Sequence, residues 1–367
     1  VHKTSAWPLA LLYMALVVYA SLYPFADWRD QGMAPWAFLA APLPKYWTGF
    51  DVATNVVGYA PLGFLLALSA LRSGVASRAA HAVAIAALAA GGLSLAMETL
   101  QSYLPVRVPS NVDFALNLAG AWGGAVMAWL LERMGAIDRW SRFRARWFAP
   151  DARGALVLLA LWPLALLFPA SVPFGLGQVL ERLEAAVAAA LQDTPFLDWL
   201  PVRDVELQPL IPGAELLCVM LGVLVPCLLG FCIIQRAGRR AAFLLGVMAV
   251  GIGVTALSAA LSYGPSHAWA WLSLPVRAGL LAALGAALLL LPLPRRGCAA
   301  LMLLALAVHL SLLNQAPTSA YFAQTLQTWE QGRFIRFHGL AQWLGWVWPY
   351  AALVYVLVRV SRAESKN

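Results

Sequence analysis

A chain of 367 residues that is 62% hydrophobic and only 11% charged has too little polar surface to coat a soluble globule, so a water-soluble fold is excluded. The net charge of +8 does not mark a nucleic-acid partner, because 17 of the 25 basic residues alternate with the apolar runs so as to fall on one side of a membrane. The composition is that of an integral membrane protein, and 16 tryptophans and 10 tyrosines fit rings gathered at its interfaces.

Windows of roughly 20 apolar residues, enough to cross the hydrocarbon core as a helix, recur near 6–24, 51–71, 80–104, 113–131, 154–172, 213–235, 241–262, 275–294, 298–314 and 341–358. No ten-residue alternating pattern supports a barrel. The expectation is an all-α polytopic transmembrane bundle of about ten spans. Basic residues cluster after the second, fourth, sixth and eighth spans and at the chain's end, while only Glu132, Asp138, Asp151 and Glu364 of the 17 acids share that side. By the positive-inside rule both termini are cytoplasmic. Cys218, Cys227, Cys232 and Cys298 all lie in or beside apolar spans with no Cys-x-x-Cys, which reads as small packing residues.

The first span follows Lys3, and Val18-Tyr19-Ala20 loosely resembles a cleavage site, but the apolar run is long for a signal peptide and is read as retained. Residues 25–50 then lie outside. Trp36, Phe38, Leu39, Tyr46 and Trp47, broken by Pro35, Pro42 and Pro44, suit the outer headgroup layer. The second span opens on Thr48-Gly49-Phe50-Asp51, an N-cap followed by an acid, with Asn55 one turn below Asp51. Gly58, Pro61 and Gly63 predict a kink or a close helix contact.

The third span has Gly91-Gly92 at its middle, an invitation to a close neighbour, and carries Glu98 and Gln101 on one face near its outer end. After Leu104-Pro105 and Arg107, the fourth span starts from Ser110-Asn111-Val112-Asp113, again a capping-box pattern, with Asn117 four residues on and Gly120 and Gly124 beneath. Three consecutive spans therefore present pairs one turn apart at their outer ends: Asp51 with Asn55, Glu98 with Gln101, and Asp113 with Asn117. The expectation is that they converge on an outward-opening pocket with Arg107 in the loop above. Polar groups of this density beside apolar spans are a functional-site hypothesis, since a charge at a helix centre costs at least about 2.5 kcal/mol on insertion scales.

Residues 132–153 are basic and aromatic, fit an interfacial helix on an anionic leaflet, and separate a four-span unit, 1–131, from a six-span unit, 154–367. In the outer segment 173–212, Leu180, Leu183, Val187 and Leu191 recur at helical spacing against Glu181, Arg182 and Glu184, which predicts an amphipathic surface helix. The last outer segment, 315–340, offers Thr318 as the cap of a short helix bearing Tyr321, Phe322, Leu326 and Trp329. Glu330, Arg333, Arg336 and His338 follow, interleaved with aromatics, as a lid or headgroup-binding rim.

The order Glu98, Gln101, Arg107, Asp113, Asn117, with Asp51, Asn55, Pro61, Leu62 and Gly63 before it and Pro105, Gly120 and Gly124 around it, resembles the VanZ-like family of membrane proteins over about residues 1–131. The resemblance implies a bacterial multi-pass protein of the cytoplasmic (inner) membrane. The family's namesake is associated with resistance to the glycopeptide antibiotic teicoplanin, a phenotype that the resemblance does not imply for this chain. The six-span remainder departs from the short namesake pattern, although Trp329 to His338 is similar to the tails of longer proteobacterial members.

Plainer roles stand beside these. Asp51, Ser110 and Asp113 suit helix capping, and Asn55 and Asn117 suit interhelical hydrogen bonds worth about 0.6 kcal/mol each. Trp329, Phe334 and Phe337 suit interfacial anchoring. Glu98 does not fit a cap, because it lies near a helix C-terminus where the dipole disfavours an anion. Either Arg107 neutralises it or it sits protonated. The histidines, His2, His81, His267, His309 and His338, lack ligand spacing, and neither a Gly-x-Ser-x-Gly nor a P-loop occurs, so no metal or other cofactor is expected.

The leading expectation is a non-catalytic binding, transport or accessory protein that engages an envelope lipid or lipid-linked glycan at its outer face, with Glu98, Arg107 and Asp113 at the centre. Arg107 suits a phosphate, membrane lipids are the expected partners and the oligomeric state is open. The alternatives are a transferase or hydrolase acting on a lipid phosphate, with Glu98 or Asp113 as general base, and a structural partner in a membrane complex.

Overall fold

The computed structural model describes residues 6–23, 25–44, 49–74, 79–168, 170–196, 207–317 and 335–364. Regular structure among them is helical, with a single isolated bridge between Phe148 and Ile234. The chain divides into two compact units, Val1–Arg144 and Ala145–Asn367. The first contains α1 (Ala6–Leu22), α2 (Gly49–Ser73), α3 (Ala79–Gln101) and α4 (Asn111–Arg133), and α5 (Ala136–Trp147) follows at the division. The second contains α6 (Arg153–Leu166), α7 (Leu180–Leu191), α8 (Pro212–Ile233), α9 (Ala237–Tyr263), α10 (Leu274–Leu289), α11 (Arg295–Leu313) and α12 (Ile335–Glu364). Seven of these helices are long and apolar enough to cross a membrane, and α1, α6 and α10 are shorter apolar helices. Each apolar window of the sequence coincides with one of the ten.

Glycines set the packing of the first unit. A Cβ on Gly63 would lie 1.9 Å from the Ala121 carbonyl oxygen, one on Gly124 1.9 Å from that of Ala60, and one on Gly120 2.3 Å from that of Val56. Only hydrogen at those positions lets α2 and α4 meet backbone to backbone, the small-residue packing that apolar helices use where lipid is as greasy as leucine. Gly91 has a milder role against the Leu118 side chain, whereas Gly92, expected at a close contact, faces open space. Helix α2 continues through Pro61. Proline disturbs the carbonyls one turn before it, and the Tyr13 hydroxyl of α1 donates to one of them, Gly58 O, at 2.8 Å. At the opposite end Arg72 bridges Glu132 at 3.1 Å and Asp138 at 2.7 Å, tying the end of α2 to α4 and to α5.

The second unit is built around α8, whose apolar window is 83% buried against 33% for α2, α3 and α4. Helices α10 and α11 cover most of it, with α6 and α9 completing the coat. All four cysteines are buried and free.

One element departs from the expected layout. Helix α6 ends at Leu166, and residues 174–178, placed outside by the hydropathy reading, form a buried non-helical segment. Pro173, Gly175 and Gly177 resist helix continuation, and the neighbouring helices satisfy the freed backbone. Gly177 N–H donates to Gly345 O at 2.8 Å, the Tyr350 hydroxyl donates to Gly177 O at 3.1 Å, and Asn314 Oδ1 accepts the Val179 and Leu180 N–H groups at 3.0 Å. Such backbone survives among apolar helices only where protein supplies its hydrogen bonds. The amphipathic helix predicted after it is present as α7. The short helix predicted from Thr318 lies outside the described residues.

Candidate functional site

The polar centre of the first unit forms where the start of α2, the end of α3 and the start of α4 share one end of the bundle. Glu98 sits in the last turn of α3 and is 4% exposed, and its Oε2 accepts the Ser110 N–H at 2.8 Å. Ser110 is the N-cap of α4, its hydroxyl accepting from the Val112 and Asp113 amides at 3.2 and 3.3 Å. In a capping box, the acid three residues into the helix would return to the N-cap amide. Here Glu98 of the preceding helix takes that amide, and Asp113 Oδ1 accepts instead from Asn55 Nδ2 of α2 at 2.9 Å. Asp113 is close enough to bear on the Glu98 charge, so two carboxylates and an amide from three helices meet at this end.

One turn deeper, Asn117 is 4% exposed and donates through Nδ2 to Ser94 Oγ at 3.0 Å, while its Oδ1 is buried without a donor among the described residues. Ser94 is a member that the sequence reading missed. It precedes Glu98 by four residues and so falls on the same helix face, which is the signal that would have found it.

Arg107 and Gln101 do something else. Arg107 Nη2 donates to the Ala20 and Tyr23 carbonyls at 3.1 and 2.8 Å, and Gln101 Nε2 donates to Ser21 O at 2.9 Å. Together they cap the C-terminus of α1, where a cation also complements the helix dipole. Of the two alternatives for Glu98, neutralisation by Arg107 is therefore ruled out. No Glu98–Arg107 ion pair occurs among the described residues, because the guanidinium is drawn to the carbonyls of α1 and Glu98 to a backbone amide.

Asp51 is exposed in the first turn of α2, its carbonyl accepting from the Thr54 hydroxyl at 3.0 Å. Of the later set, Glu330 and Arg333 lie outside the described residues, and Arg336 and His338 fall in the first turns of α12.

A connecting segment crosses this end of the bundle. Arg29 N–H donates to Tyr103 O at 3.0 Å, Gln31 Nε2 to Ser102 O at 2.7 Å, and Asn111 Nδ2 to Ala41 O at 2.6 Å. Trp36, Leu39, Leu43, Val106 and Val108 remain exposed around it. The centre is thus a set of hydrogen-bond acceptors beneath an apolar rim. Among the described residues no group of histidine, cysteine and carboxylate side chains has the makings of a metal site.

Fold and site together define a multi-pass α-helical membrane protein with a carboxylate-rich polar centre at one end of its N-terminal bundle. Residues 6–132 match the VanZ/LLP1 family model, which makes this N-terminal region VanZ-like and leaves the second unit outside the match. Comparison with curated proteins and with solved structures returns no match.

Proposed function

We propose that this is a bacterial cytoplasmic-membrane protein whose VanZ-like region engages an envelope lipid or lipid-linked glycan at the outer membrane face. The observation that carries the reading is Glu98, a carboxylate 4% exposed, with no ion pair among the described residues and beside Asp113. Helix geometry alone does not call for it there, since an anion at a helix C-terminus opposes the dipole. Carboxylate and amide oxygens gathered at an apolar rim suit a headgroup rich in hydroxyl donors, such as a sugar or a polyol. Arg107, bound to the end of α1, serves as a positioning residue for that rim.

A second reading is purely structural: the polar centre locks α2, α3 and α4 for a larger complex. It is favoured by the internal bonds from Asn55 to Asp113 and from Asn117 to Ser94. Glu98→Gln and Asp113→Asn separate the two, because each removes charge while leaving an oxygen to accept from Ser110 or Asn55. The proposal expects both variants to melt within a few degrees of the unaltered protein yet to lose a co-purifying lipid detected by mass spectrometry. Identical lipid content across all three proteins would overturn it, and a large drop in melting temperature would favour the structural reading.

A further inference from the structure

The arginine-rich end of the second unit holds a cavity that the polar centre of the first does not use. Its volume is about 340 Å³, and Gln235, Ala237, Arg240, Leu291, Pro294 and Arg295 line it, with no carboxylate among the lining residues.

Three features give it a charge preference. Arg240 is 4% exposed, and its guanidinium donates to the carbonyls of Ile234, Leu291, Leu293 and Phe231 at 3.0, 2.7, 2.6 and 2.9 Å. Those oxygens hold the group in place but carry no net charge, and no ion pair of Arg240 occurs among the described residues. A cation kept from water without a counter-charge raises the potential of the space beside it.

Arg295 is the second feature. It lines the same cavity, and its Nη2 is buried with no hydrogen-bond partner among the described residues. A buried donor without an acceptor is rare enough in folded proteins to require an explanation.

The third feature is backbone. Ala237 and Arg295 begin α9 and α11, and the N-caps of these helices, Arg236 and Pro294, make no side-chain cap bond. Two helix ends therefore add amide donors and positive dipole ends to the two guanidinium groups.

We propose that this cavity binds a phosphate group, held by Arg295 through its planar donors and drawn by the fixed charge of Arg240. A free phosphate and the phosphodiester of an anionic lipid share that chemistry, and the experiment distinguishes them. The full-length protein in neutral maltoside micelles is titrated in one arm with inorganic phosphate at constant ionic strength. In the other arm it is titrated with micelle-solubilised phosphatidylglycerol, and thermal unfolding is followed in both.

Saturable stabilisation by phosphate identifies the free anion, and stabilisation by the lipid alone identifies a headgroup. In either case Arg295→Gln is expected to weaken the response about tenfold, the loss of one charge-assisted donor set. Arg295→Lys, which keeps the charge and removes the fork, is expected to fall between them. Arg296→Gln, at an exposed neighbour outside the lining, is expected to leave it unchanged. Absence of stabilisation by both probes, or an equal response from the unaltered protein and from both Arg295 variants, would overturn the proposal.

Discussion

The two units differ in what most of their polar groups among apolar helices bond to. In the second, most buried and half-buried polar side chains attend to backbone: Arg240 to four carbonyls, Gln178 to Ala316 O, Asn314 to the start of α7, Ser258 to Leu167 O, and Trp348 to Leu158 O. These are the bonds that irregular backbone requires where no solvent supplies them. In the first unit Arg107 and Gln101 do the same for α1, but Asn55, Asp113, Ser94 and Asn117 bond side chain to side chain across helices whose approach glycine already permits. Polar groups that complete a backbone are explained by the fold. Carboxylates beyond that need are where function is to be sought.

Substitutions that disturb each device test the contrast. The largest effect is expected from Gly124→Val, because the new side chain meets the Ala60 carbonyl and α2 and α4 must separate. A loss of more than about 3 kcal/mol in thermal unfolding is expected, against about 0.5 kcal/mol or less for Gly123→Val, whose Cβ meets nothing within 4 Å. Equal losses would mean that backbone contact is not what holds the two helices.

Arg240→Met comes next. It leaves four carbonyls of the second unit without their donor, and about 2 to 3 kcal/mol is expected by the same measurement. A neutral result would remove the claim that backbone service is the reason for a buried arginine there.

The smallest effect is expected in the first unit. Asn117→Leu deletes one interhelical bond, and its coupling to Ser94→Ala in a double-mutant cycle is expected to be about 0.6 kcal/mol. A coupling several times larger would make the polar centre a structural keystone and blur the distinction between the units.

Much of this was readable in the chain. Residue type settled the helical membrane class, since only helices and closed barrels satisfy backbone groups in lipid, and the apolar windows set where helices run. Small residues at four-residue spacing, Gly120 and Gly124, marked the contact that α2 makes with α4. The meeting of Glu98, Asp113 and Asn55 at one end followed from helix register, because groups at matching heights on adjacent antiparallel spans are brought together.

Partner choice was not readable, because a donor's nearest acceptor depends on where the third element ends. Arg107 turned to α1 because three carbonyls at the end of that helix face it and Gln101, and no local pattern announces a cap supplied from eighty or more residues away. The capping box at Ser110 misled for the same reason: its acid was released to Asn55 once Glu98 arrived from α3. The buried turn at 174–178 was invisible as well, since hydropathy sees apolar residues but not whether neighbouring side chains will satisfy their backbone. Sequence by itself determined which segments enter the membrane and which faces carry polar groups, because transfer free energy and helical periodicity act residue by residue. Tertiary structure decided which of those groups bond to one another, because hydrogen bonds are short and directional and their partners come from distant parts of the chain.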